Sequence, residues 1–106
     1  MVRASVTITP PPGRRSEVLR ALRTVVGPTR AKHGCRACHV MEDVEDGTIL
    51  VLEEWDTEEA MNHHLRSHDY LQLLVLMETS TRPPEVRFEI IASASGMEVI
   101  EAARNG

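Results

Sequence analysis

Aromatic side chains are scarce in this chain: one Trp, one Tyr and one Phe make up 3% of its 106 residues. Most of any core must therefore be aliphatic, and an aromatic wall for a ligand has few candidates. Cysteine is nearly as rare, with only Cys35 and Cys38, too few for a disulfide scaffold. No apolar run approaches the roughly 20 residues a bilayer-spanning helix needs. The opening MVRASVTITP alternates apolar and polar residues, where a signal peptide would set an apolar run behind a basic start. A cytoplasmic protein with reduced thiols is expected. Positive charge is not in excess either: 12 Lys and Arg against 16 Asp and Glu leave a net charge of −4. Nucleic acid and anionic membranes are thus not expected partners.

What is present suits one ordinary domain spanning residues 1–106. Apolar residues make up 42% and charged ones 26%, and a chain this long buries roughly 65% of its unfolded surface without metal or disulfides. Val2, Ala4, Val6 and Ile8 alternate with polar residues, which predicts a half-buried strand ended by Pro10-Pro11-Pro12-Gly13. Val18, Leu22, Val25 and Val26 form a helical stripe. Gly27-Pro28 is expected to kink that helix, and Gly34 to cap it. Strands follow from Cys35 to Glu42 and from Thr48 to Trp55, joined by a tight Asp46-Gly47 turn. Asp56 and Glu59 read as a capping box opening a second helix with Ala60, Met61, His64 and Leu65 inward. A short helical piece carries Tyr70 to Met77, and Val86, Phe88, Ile90 and Ala92 alternate in a last strand. The tail, residues 94–106, is predicted to form a turn or two of helix that packs on the domain or on a partner. The order β-α-β-β-α-β predicts an α+β, ferredoxin-like split βαβ fold with a four-stranded antiparallel sheet.

Two helices cover only one face of such a sheet. Strand three carries Ile49 and Val51 on one face and Leu50 and Leu52 on the other, and strand four sets Ile91 opposite Val86, Phe88 and Ile90. Apolar residues on an uncovered face mark an interface, and a second copy on a twofold axis is the simplest cover. A homodimer is expected; a curled sheet covered by its own tail is the alternative.

Pro28-Thr29-Arg30-Ala31, Gly34-Cys35 opening a strand, Val51-Leu52-Glu53-Glu54-Trp55, Glu59-Ala60 and His64-Leu65 follow one another in order. Over residues 14–91 the chain resembles the antibiotic biosynthesis monooxygenase domain family. The resemblance implies a dimeric α+β barrel with a small pocket between each sheet and its own helices. It also implies a small-molecule substrate, and for part of the family oxygenation with no cofactor. Members include quinone-forming and quinol monooxygenases, haem-degrading enzymes and proteins acting on small signalling molecules, so the fold leaves the reaction open. Several branch-specific residues are missing. The asparagine expected four residues before the tryptophan is Val51, and the tyrosine expected six after it is Met61. Thr7 and Leu74 stand where a haem-degrading member carries asparagine and histidine, and Asp69 stands where the quinol and signal-molecule branch has a second histidine, with His68 one step early.

An electron-rich phenolate can reduce O2 unaided once deprotonated, so the protein would supply a dry pocket, orientation and a base. His64 on the inward helix stripe is the candidate base, and Trp55 at the end of strand three the candidate anion stabiliser; each is otherwise a core residue. Tyr70, Met61, Asn62, Leu74 and His68 are candidate substrate contacts in a mainly apolar cavity. His63 is expected to face solvent, and Glu53 to be structural. His64 and His68 share a four-residue spacing without a clear third ligand, so no metal is expected. Three functions follow: a cofactor-independent monooxygenase of a small aromatic or quinol, a non-oxidative isomerase of a small oxo compound, or a non-catalytic binding dimer. Cys35-Arg36-Ala37-Cys38-His39 has the C-x-x-C-H form of a haem attachment site. In a strand, residues three apart point to opposite faces, so two buried thiols are expected instead of covalent haem.

Overall fold

Alternation in the first residues becomes strand β1 (Val2–Ile8), whose even-numbered side chains are sealed and odd-numbered ones half-buried. The computed structural model describes residues 1–106 and continues with helix α1 (Arg15–Arg30), strands β2 (Cys35–Glu42) and β3 (Ile49–Trp55), and helices α2 (Glu58–Leu65) and α3 (His68–Met77). Strand β4 (Glu85–Ile90) and helix α4 (Met97–Asn105) complete the chain. The strands form one antiparallel sheet in the order β2-β3-β1-β4. This is the expected ferredoxin-like α+β fold.

The core forms where the helical stripe meets the alternating strands. Val18, Leu19 and Leu22 of α1 and Tyr70 and Leu73 of α3 pack on Val6, Ile8, Ile49 and Val51. Each such aliphatic burial is worth about 1.5–3 kcal/mol. Gly27-Pro28 does not break α1. Pro28 falls in the last turn, where it forgoes the bond to Thr24 O but little helix remains to disrupt, and Thr29 Oγ1 donates to Val25 O at 2.7 Å. The second helix is capped one residue later than the expected Asp56–Glu59 box: Thr57 is the N-cap, and its side chain accepts from Ala60 N. Gly34 takes φ +82°, and a Cβ there would lie 2.6 Å from the Ala60 Cβ. The loop after α1 and helix α2 therefore touch through a missing side chain.

The register fixes which apolar residues face the helices and which face away. Val86, Phe88 and Ile90 pair with Val6, Ala4 and Val2, so they lie on the helix side of the sheet. They are nevertheless 46%, 48% and 71% exposed, because β4 is an edge strand. The opposite face carries Leu50 and Leu52 among Arg3, Ser5, Thr7 and Glu54, all only half-buried. Helix α4 has no buried residue and turns Met97, Val99 and Ile100 to solvent. No helix is long and apolar enough to cross a membrane.

Candidate functional site

Strand β3 sends Ile49, Val51, Glu53 and Trp55 inward. Glu53 is thus a carboxylate on a buried stripe, only 4% exposed. The link of Asp56 and Thr57 is short, so α2 turns back over the sheet and brings Met61 and His64, three residues apart, onto Trp55. The chain breaks again at Ser67, whose side chain caps α3, and Tyr70 points inward from the first turn. The His64 ring lies 4.9 Å from the Trp55 ring and 5.4 Å from the Tyr70 ring, tilted on the first and edge-on to the second.

Hydrogen bonding sets the electrostatics of this cluster. The Trp55 indole N–H donates to Glu53 Oε1 at 3.0 Å, and His64 Nε2 lies 3.5 Å from the same oxygen. Removing a carboxylate from water costs several kcal/mol, and these partners offset that cost. On its other side, His64 Nδ1 lies 2.9 Å from Lys32 Nζ. Lys32 also reaches Ser67 Oγ at 2.8 Å and Asp69 Oδ2 at 3.2 Å. Burial first, and then the Glu53 charge, raise Tyr70 and hold its hydroxyl protonated. Across the sheet, Cys38, Glu53, Ala4 and Phe88 form one row, so the carboxylate has a small alanine beside it and the exposed β4 edge beyond.

Trp55, His64, Tyr70 and Met61 do meet in one buried place. Asn62, His68 and Leu74 lie on the surface instead. His68 opens α3 and is not on the helix of His64, so the four-residue spacing does not align the two rings. No group of three or more His, Cys, Asp or Glu residues is placed to hold a metal ion. The indole N–H is directed to Glu53 and not to open space. The cavity beside His64, about 570 Å³, is lined chiefly by polar and charged residues, Lys32, His33, Glu59, His63 and Arg66 among them, and Ala60 is its one apolar residue. The cysteines share a face after all, because a bulge between Cys35 and Ala37 shifts the register. Cys38 is sealed and Cys35 half-buried.

Two contributors were not among the candidate site residues: Glu53 was expected to be structural, and Lys32 had no expected role. Glu53 carried a signal, a charge in the inward register of an apolar strand. Lys32 carried none, since nothing in a loop composition shows which buried group the side chain reaches.

A sheet with helices on one face and a buried carboxylate–imidazole–indole cluster between them defines a ferredoxin-like protein with a polar cluster inside its core. The family model for antibiotic biosynthesis monooxygenases matches residues 1–74, and the chain belongs to that family. The Mycobacterium tuberculosis protein Rv0793, named for a proposed monooxygenase activity, is 32% identical over 78 residues, which cover 73% of this chain and 77% of that protein. The solved structure of Rv0793 superposes with a TM-score of 0.80 at 27% identity, covering 90% of this chain and 98% of the other. A proposed antibiotic biosynthesis monooxygenase from Deinococcus radiodurans has the same fold, with a TM-score of 0.82 at 22% identity, over 92% of this chain and 98% of that one.

Proposed function

We propose that the chain is a cofactor-free monooxygenase of a small electron-rich aromatic, a quinol or related phenol, acting as a cytoplasmic homodimer. One observation carries the reading beyond family membership: Glu53, Trp55, His64 and Tyr70 converge in a buried place between sheet and helices. A phenol held there loses its proton to a protein group, and the resulting anion passes electrons to O2. For an anthrone-type substrate, the CH2 group and O2 become a carbonyl and one water, with no outside reductant. Glu53 and His64 are the buried groups able to handle the proton, and water exclusion strengthens their interaction with the anion.

Oxygen uptake on adding hydroquinones or anthrones tests the reading. His64→Gln should lower that uptake by roughly 10²–10⁴-fold while the melting temperature stays near that of the wild type. Wild-type protein that consumes no oxygen with any such compound would end the proposal. The polar lining of the cavity at His64 favours one other reading, proton shuttling on a small oxo compound; product formed under nitrogen would identify it.

A further inference from the structure

Lys32 stands in the loop after α1 and is mostly buried, with its side chain 21% exposed. Its ammonium has three N–H groups and no lone pair. Three acceptors surround it: Ser67 Oγ at 2.8 Å, His64 Nδ1 at 2.9 Å and Asp69 Oδ2 at 3.2 Å. Ser67 and His64 each take one N–H, and Asp69 adds an ion pair. Ser67 is itself tied down, donating to His64 O at 2.6 Å and accepting from Tyr70 N at 3.4 Å. The ammonium is therefore held on fixed partners, and His64 Nδ1 must present a lone pair to it. A proton on Nδ1 would meet a Lys32 N–H head-on, and Lys32 would have to leave both Ser67 and Asp69 to relieve the clash.

The consequence runs through the ring. A neutral imidazole with an accepting Nδ1 carries its hydrogen on Nε2. That N–H faces the site, 3.5 Å from Glu53 Oε1. Glu53 Oε1 is already occupied by the Trp55 indole, while Glu53 Oε2 receives no hydrogen bond. Arg15 Nε is the one sealed side-chain nitrogen or oxygen without a hydrogen-bond partner, so Oε2 is not fully sealed. Of the groups around the ring, Tyr70 is held protonated by burial and by the Glu53 charge, Asp69 is engaged by Lys32, and His33, Glu59, His63 and Arg66 lie outward around the cavity.

We infer that Glu53, through Oε2, accepts the substrate proton, and that His64 acts as a hydrogen-bond donor whose tautomer Lys32 sets. The substrate O–H bond breaks, its electron pair stays on the substrate oxygen, and the proton forms an O–H bond on Glu53. The new oxyanion takes the His64 Nε2–H. Lys32 touches no reacting atom and is a positioning residue. The assignment rests on a phenol entering between sheet and helices, as in the function proposed above.

Ring 15N spectra of the full-length protein, labelled at histidine, test the positioning role without turnover. His64 should show a single tautomer, protonated at Nε2. Lys32→Met should release the ring to mixed tautomers or to a protonated form, and Lys32→Arg, which keeps a donor, should restore the single tautomer. A wild-type ring protonated at Nδ1 would overturn the inference. For Glu53 the probe is 4-nitrophenol, whose absorbance separates phenol from phenolate. Wild-type protein should bind it as phenolate below the pH at which the free compound ionises, and Glu53→Gln should bind it as phenol. Failure of the wild type to bind it, or a phenolate spectrum that survives Glu53→Gln, would overturn the assignment. A protein that passes both tests but consumes no oxygen would lose the monooxygenase reading alone.

Discussion

Cys38 sits on the inner face of β2 directly across from Glu53, and burial followed by that carboxylate pushes its thiol up to about 12 from an ordinary 9.0. Below pH 9 both folded and unfolded chains keep the proton, so the site exerts no pH dependence. Between 9 and 12 only the folded chain keeps it. The unfolded state then binds fewer protons, and stability must fall as pH rises, by up to about 1.4 kcal/mol per pH unit. Cys35 is raised as well, chiefly by burial, and Tyr70 adds the same sign only above its ordinary 10.0. Urea unfolding at mildly and strongly alkaline pH should show this decline, and Cys38→Ala should flatten it. Equal slopes for the two proteins would mean the thiol is not where the register puts it. Trp55 makes a second residue-scale case. Trp55→Phe keeps much of the ring but leaves Glu53 Oε1 without its indole donor, a loss of about 1–3 kcal/mol. Chemical denaturation reads that loss directly, and an unchanged midpoint would show that the carboxylate has another partner.

Helix α2 is positioned from both ends. Thr57 caps its start, and its length ends at Leu65 because Ser67 opens α3. Its distance from the sheet is set at Gly34, where the backbone has positive φ and the Ala60 Cβ fills the place of a side chain. Gly34→Ala adds strain at that φ and an overlap with Ala60, and should destabilise the fold by about 1–3 kcal/mol. The same change pushes α2 away from Trp55, so the His64 ring should shift relative to the indole, visible as altered His64 ring resonances. An equally stable Gly34→Ala protein with unmoved resonances would contradict this account of the element. Much of the element pattern was legible in sequence, because strand alternation and the helical stripe each state which side faces inward. The bulge at Cys35 was not, since one extra residue leaves no trace in composition, and it reversed the expected placement of the two thiols.

At the scale of the whole molecule, the radius of gyration is 15.8 Å, against roughly 13 Å for a compact chain of this length. Helix α4 is amphipathic with no buried residue, and Val86, Phe88 and Ile90 of β4 lie open on the helix side. A lone chain leaves these groups in water, and exposed apolar surface is a mark of association. We expect a homodimer, and light scattering should return about twice 11.8 kDa. Charging the edge with Phe88→Asp should favour the monomer while the circular dichroism of the sheet is retained. Wild-type protein that is monomeric at micromolar concentration would refute the dimer.

The sequence by itself determined the element order, the antiparallel split βαβ plan, the family, and the inward faces of β3 and α2 that carry Trp55 and His64. Those features depend on the period of the hydrophobic pattern, which is local. Tertiary structure alone decided that Glu53 is a hub shared by Trp55 and His64, and that a lysine 32 positions before the histidine holds its far nitrogen. It also decided that Asn62, His68 and Leu74 stay at the surface and that polar and charged residues line the cavity. Such contacts join residues distant in the chain, and they are settled by register, bulge and helix breaks acting together, which no single window of sequence contains.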